Sequence, residues 1–453
     1  MGKELAGVCS SQRKNNPNME GRETMQTSLR AIAEKAKKLS KYRFQELYSL
    51  LNANLLTESW KKLNKKAAPG VDGTTADEYA QNLESNIQTT VDDLKNKRYH
   101  AKLVKRVYIP KGEGKLRPLG LPVTADKVVQ RAVADILEAI YEQDFLPNSY
   151  GYRPNRGPQM AVIELTRELQ FGKYNYIVEA DIRGYFNNID HEWLVKMLEQ
   201  RIDDQAFIRL IRKWLNASIL ETDGKILDPI TGTPQGGIVS PVLANICLHY
   251  ALDLWFEKVV KPHCEGRAYL CRYADDFACA FQYKRDAERF YEVLGKRLNK
   301  FSLELAPEKT RIIQFGPFHK EKTSFEFLGF EFRWGLSRKG KNIIKRRTSR
   351  KKLRKSVATL QTWCKEIRHS RQREIFYQLS SKLRGYFNYY GIIGNSPSLL
   401  QFYGQAMRIL YKWLNRRSQR SSLEWEEFKK LWRRFRVPKP RIVEGPTQLA
   451  LDF

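Results

Sequence analysis

The 453-residue chain is long enough for two or three domains with a sizeable buried core, and its 42% hydrophobic and 12% aromatic content exclude a disordered protein. Eighty Lys and Arg against 50 Asp and Glu leave a net charge of +30, which favours a polyanionic partner. No apolar run reaches the roughly 20 residues of a membrane span, and the six cysteines (Cys9, Cys247, Cys264, Cys271, Cys279, Cys364) form no Cys-x-x-Cys pair, so a soluble, reduced, cytoplasmic protein is expected. Residues 1–25 have the composition of a disordered leader. From Thr27 the spacing of Leu29, Ile32 and Ala33, then of Phe44, Leu47, Leu51, Leu55 and Trp60, predicts helix up to the turn Ala68-Pro69-Gly70-Val71-Asp72-Gly73. Val104 to Pro110 and Leu116 to Leu121 read as a hairpin closed by Gly112-Glu113-Gly114, with Lys111 and Arg117 at its mouth. Those cations suit a nucleoside triphosphate and equally suit an ordinary basic hairpin. An amphipathic helix follows over Ala125 to Phe145, with Val128, Val129, Ala132, Ile136, Leu137 and Ile140 on the buried side.

Tyr176 to Ile182 reads as a buried strand ending on Asp181, and Asp190 suits the N-cap of the next helix. Gly232-Thr233-Pro234-Gln235-Gly236-Gly237 opens a helix over about Val239 to Trp255, where backbone N–H groups can approach a ligand and Gln235 can contact a base. Tyr273-Ala274-Asp275-Asp276 lies between two apolar strands, Ala268 to Tyr273 and Phe277 to Tyr283, as the turn of a hairpin. Two adjacent carboxylates repel unless a hard cation such as Mg²⁺ sits between them; the tetrapeptide alone also fits a solvated acidic turn. If the Asp181 strand lies beside this hairpin, Asp181, Asp275 and Asp276 converge, an arrangement able to hold two metal ions for in-line phosphoryl transfer.

Helix is predicted over Arg285 to Phe301 and strand over Ile312 to Phe315, with Lys309 just before it. Helices then follow over Ser349 to Arg368, Arg373 to Tyr390, Ser398 to Arg420 and Leu423 to Phe435. Residues 333–441 hold 30 Lys and Arg against 5 Asp and Glu, a net of +25, which suits contact with phosphates without reading sequence.

Taken in order, Ala68 to Gly73, Ile109-Pro110-Lys111 through Arg117-Pro118-Leu119-Gly120, Ser149-Tyr150-Gly151-Tyr152-Arg153-Pro154, the Asp181 strand, Gly232 to Gly237, the Tyr273 hairpin, Glu308-Lys309-Thr310 and Phe327-Leu328-Gly329-Phe330 resemble the group II intron reverse transcriptase/maturase family. The resemblance covers about residues 50 to 420. It implies an α+β right-hand polymerase with fingers, an antiparallel palm and a helical thumb or maturase domain. The implied division is a leader (1–25), an N-terminal extension and start of the fingers (26–100), fingers (101–172), palm with primer-grip hairpin (173–335), thumb/maturase domain (336–420) and a short basic segment (421–453). It further implies RNA-directed DNA synthesis with two Mg²⁺ ions, catalysis by Asp181, Asp275 and Asp276, and metal binding by these three and Ile182. Lys111, Arg117, Phe186, Gln235, Gly236 and Lys309 would bind nucleotide, Phe186 by excluding a 2′-hydroxyl and Lys309 by steadying the departing pyrophosphate. Leu328 and Gly329 would grip the primer.

The partners so implied are an RNA template, a group II intron RNA, a DNA primer or target and dNTPs, with no membrane. Family members often carry a zinc-supported HNH nuclease with Cys-x-x-Cys pairs; the sequence holds none, so RNA-catalysed insertion with borrowed primers is expected. Two other readings stay open at this level. One is a non-enzymatic RNA-binding splicing factor, against which stand all three aspartates; the other is a reverse transcriptase recruited to host defence or repair.

Overall fold

The computed structural model describes residues 17–112, 115–318, 323–417 and 422–445. The first 16 residues of the expected leader, the tip 113–114 of the basic hairpin and the last eight residues lie outside the described residues. Among the described residues eleven strands occur in chain order: β1 Val104–Gly112, β2 Lys115–Leu121, β3 Tyr176–Ala180, β4 Ile219–Leu220, β5 Ile226–Leu227, β6 Ala268–Tyr273, β7 Asp276–Phe281, β8 Arg311–Gln314, β9 Ser324–Phe327, β10 Phe330–Leu336 and β11 Asn342–Thr348. The chain forms two compact units, residues 1–145 with 184–250, and residues 146–183 with 251–453. The expected linear boundaries at 100 and 172 are not those of the units, and the expected palm, 173–335, is divided between them.

In the first unit, the helix Thr124–Tyr141 is central rather than merely amphipathic. All six predicted apolar positions are buried, and Asp126, Lys127, Gln130 and Asp135 are buried as well. Such polar groups need partners inside; Asp126 accepts from the Tyr99 hydroxyl at 2.6 Å and from the Lys102 amide at 3.0 Å. The N-terminal helix starts at Pro17, ten residues before the expected Thr27, so residues 17–25 are helical rather than part of a disordered leader. It ends at Lys38, and helix resumes only over Ala53–Lys62. The interruption has a tertiary cause: Phe44 exchanges backbone hydrogen bonds with the distant Arg201 and Asp203, and the Asn52 side chain caps the second helix at the Leu55 amide. The antiparallel β1–β2 hairpin is extended by β4 and β5 in the order β2-β1-β4-β5.

In the second unit, an antiparallel sheet of order β6-β7-β3-β8 packs against the helix Pro158–Phe171 through Ala161, Val162 and Leu165 beneath Cys271, Ala278 and Ala280. That core continues into a second sheet, β11-β10-β9, by way of Phe325, Phe327, Phe330 and Phe332. Strands β9 and β10 are joined by Leu328 and Gly329, both with positive φ (51° and 79°), the backbone of a tight two-residue hairpin turn.

Helices Arg350–Ile367, Gln372–Tyr390 and Ser396–Leu414 share one apolar core, and a fourth, Trp425–Arg434, inserts Phe428 and Trp432 into it. The described part of the segment 421–453 thus packs its helix into this core. The third helix stops before the expected Arg420 because the Asn415 side chain pairs with both the amide and the carbonyl of Leu423, turning the chain. No helix among the described residues is long and apolar enough to cross a membrane.

Candidate active site

The register of two strands decides where the carboxylates stand. Ala180 of β3 pairs with Phe277 of β7, so the next residues, Asp181 and Asp276, emerge at the same end of the sheet. Asp276 also closes the β6–β7 hairpin opposite Tyr273, leaving Ala274 and Asp275 as the two central turn residues, with Ala274 at φ 56°. A side chain in that region is strained and needs outside support.

Support comes from Arg272, which is fully buried. Its guanidinium donates to both Asp253 oxygens at 2.7 and 2.5 Å, to the Ser149 hydroxyl at 2.7 Å and to the Ala274 carbonyl at 3.0 Å. The Arg272 amide donates to the Asn148 carbonyl, and the Tyr150 amide donates to the Arg272 carbonyl. Gly151 lies so close beneath the Ala274 backbone that a Cβ would collide with it. The stretch Asn148 to Gly151 is thus a strap under the acidic turn. Sequence reasoning missed Arg272, although a lone Arg inside the apolar run Leu270-Cys271-Arg272 was a visible signal that a buried partner must exist.

Asp276 can be reached by solvent from a concave surface, yet the surrounding protein and the neighbouring Asp275 and Asp181 push its pKa up to about 6, against the lowering effect of Lys309 and Lys352. Lys309, in the turn Pro307–Lys309, forms a hydrogen-bonded ion pair with Asp181, which holds its own pKa above the usual lysine value. Asp181, Asp276 and Lys309 line a cavity of about 680 Å³ together with Leu328, Gly329, Lys352, Tyr389 and Tyr390. The Tyr389 hydroxyl donates to the Leu328 carbonyl at 3.0 Å. Both tyrosines therefore brace the Leu328-Gly329 turn, a contact that periodicity alone could not reveal.

The residues fit a divalent cation in charge and position: three carboxylates share one sheet end, and the ammonium of Lys309 stands there as a cation on Asp181. Among the described residues no three acidic, His or Cys side chains form a ready cage for one ion. Mg²⁺ sites of polymerase type use few carboxylates and take their other ligands from water and substrate phosphates. Ile182 has a hydrocarbon side chain, so only its carbonyl could ligate.

The remaining expected residues belong to the first unit. Arg117 is exposed on β2; Lys111 is on β1, its side chain outside the described residues. Phe186 sits half-buried in the turn Tyr185–Asn187, its carbonyl accepting from the Thr233 amide at 2.7 Å. The Gly120 amide donates to the Gln235 carbonyl at 2.6 Å, and Gly236, at φ 121°, lies so close to the Gly120 carbonyl that no Cβ would fit. The Phe186 turn, the glycine loop and the end of β2 are thus adjacent, and Gln235 lines a cavity of about 360 Å³ with Asn187 and Thr233. As expected, the Asp190 side chain caps the following helix at the Trp193 amide, 2.9 Å.

The fold is mixed α and β, and its antiparallel sheet presents acidic residues beside a lysine at one end. Residues 109–332 match the sequence profile of the reverse transcriptase (RNA-dependent DNA polymerase) family. The group II intron-encoded protein LtrA of Lactococcus lactis subsp. cremoris is 31% identical over 464 residues, covering 82% of this chain and 75% of that protein. Protein YkfC of Escherichia coli (strain K12) is 31% identical over 68% of this chain and 87% of its own length. The nuclear intron maturase 4, mitochondrial, of Arabidopsis thaliana is 25% identical over 42% of this chain and 28% of its own. The chain is a reverse transcriptase. It belongs to the group II intron reverse transcriptase/maturase family.

Proposed function

We propose that this reverse transcriptase copies RNA into DNA at the sheet end bearing Asp181, Asp275 and Asp276, and that it binds a group II intron RNA to assist splicing and mobility. One observation carries the catalytic reading: Asp181, Asp276, Lys309 and the Leu328-Gly329 turn line one cavity, with Asp275 in the adjoining hairpin turn. In this reading residues 101–172 are fingers, 173–335 palm and 336–420 thumb, the thumb being completed by Phe428 and Trp432. Two Mg²⁺ held by the three aspartates, with the Ile182 carbonyl, would supply an activated primer 3′-hydroxyl and charge compensation for the leaving pyrophosphate. Lys309 leaves Asp181 for the leaving group's phosphates, remaining a cation as an ordinary lysine does near neutral pH. The Leu328-Gly329 turn lets the primer backbone approach closely, since a glycine presents no side chain. Lys111, Arg117, Gln235 and Gly236 hold the incoming dNTP, and Phe186 packs under its sugar.

The intron role is supported by the family and by the net +25 of residues 333–441, which can offset phosphate repulsion in a folded RNA. The test is primer extension on an RNA template with Mg²⁺ and dNTPs, beside an Asp275→Ala, Asp276→Ala double variant. Extension by the wild type alone is the expected result. No extension by either protein, with RNA binding intact, would turn the reading into a splicing scaffold.

A further inference from the structure

A second cavity in the same unit, of about 760 Å³, shares no lining residue with the carboxylate cavity. The first turn of the helix Arg350–Ile367 separates the two: Lys351 and Lys352 line one, Arg350 and Arg354 the other. Arg333 of β10 and Lys345, Arg346 and Arg347 of β11 bring to six the cationic residues that line the second cavity. Among the described residues, only Arg346 (with Glu444) and Arg347 (with Glu331) have a carboxylate partner. The other four are exposed and place net positive charge at the rim of this concave space, which attracts an anion.

A second, independent observation points the same way. Arg346 is only 7% exposed, and its Nη2 donates to Glu444 and to the Ile393 carbonyl at 3.2 Å. Its Nη1 is buried and has no acceptor among the described residues. Buried guanidinium N–H groups are normally satisfied, and this one is left without an acceptor among the described residues. The positive ends of two long helices add to the same field, Arg350–Ile367 through Arg350 and Ser396–Leu414 through Pro397 and Ser398.

We propose that this cavity is a phosphate-binding site for a ligand about one or two nucleotides in size, seated on Arg346 between Arg350 and Arg354. Arginine forks match phosphate oxygens two at a time, which a single carboxylate ligand would not satisfy around six cations. The volume lies within the usual range for small ligands, roughly 300–1,000 Å³. Two sources share this chemistry, a free polyphosphate anion and a phosphodiester of a single RNA strand.

The experiment is equilibrium binding to the full chain in metal-free buffer with two probes, inorganic pyrophosphate and a labelled hexauridylate RNA. Wild type is compared with an Arg350→Glu, Arg354→Glu variant, whose altered residues are exposed and leave the Arg346–Glu444 pair intact. A loss of tenfold or more in pyrophosphate affinity assigns the site to a free anion; the same loss for the RNA alone assigns it to a strand. Arg346→Lys, which keeps the charge but not the fork, should weaken the same probe and serves as second variant if the double variant does not fold. Unchanged affinity for both probes, or no saturable binding by the wild type, overturns the proposal.

Discussion

Two tight turns of the second unit, Ala274-Asp275 and Leu328-Gly329, both take positive φ at a residue with a side chain, but they are held in different ways. The acidic turn rests on a fully buried ion pair, with Arg272 bonded to its carbonyl and to Asp253. The other is braced by a half-buried tyrosine hydroxyl and the edge of a second tyrosine. A turn that must hold repelling carboxylates in a fixed place requires a rigid, desolvated base. The Leu328-Gly329 turn carries no such repulsion, and neutral contacts suffice to hold it.

The comparison predicts a descending series of effects. Asp276→Asn should abolish extension while leaving the fold at least as stable, because it removes a carboxylate crowded by Asp275 and Asp181; activity and a urea midpoint measured together check both halves. Arg272→Ala should cost about 3–5 kcal/mol, since it strands Asp253 as a buried charge, and Arg272→Lys should recover part of the stability but less of the polymerase activity. If Arg272→Ala unfolds no more easily than Tyr389→Phe, the contrast between the turns is wrong.

The pH dependence follows from the same crowding. The Asp276 carboxyl has a pKa of about 6 in the native, metal-free protein, against about 3.9 in an unfolded chain. Between those values the native state binds more protons, so stability falls as pH rises through that window and levels off above it. The wild-type minus Asp276→Asn difference, followed by urea unfolding in metal-free buffer, should carry that slope, and Mg²⁺ should reduce it by competing with the proton. At the small end, Tyr389→Phe removes one hydrogen bond to Leu328, worth about 0.5–1.5 kcal/mol, and should shorten extension products more than it lowers the unfolding midpoint.

Much of this site was legible beforehand because its chemistry is local. The acidic turn is bounded by apolar strands that pair as expected, and Asp181 sits where the strand pattern ends. The glycine loop, the Asp190 cap and the Leu328-Gly329 turn are likewise short-range features. The helix breaks at Phe44 and Asn415 were not legible, because each depends on a partner distant in the chain or on a side chain that outcompetes the helix for backbone groups.

Hydrophobic period, turn chemistry and the order of motifs thus determined from sequence alone the α+β class, the family and the meeting of Asp181 with the Asp275-Asp276 turn at one sheet end. Only the tertiary structure decided that Arg272 and Asp253 underlie the acidic turn, that Tyr389 and Tyr390 brace the Leu328 hairpin, that Trp425–Arg434 completes the C-terminal helical core, and that six cations surround a second cavity. The physical reason is one of range. Backbone propensity and side-chain period act over a few residues, whereas a buried charge or a cavity is defined by groups brought together only when the whole chain has packed.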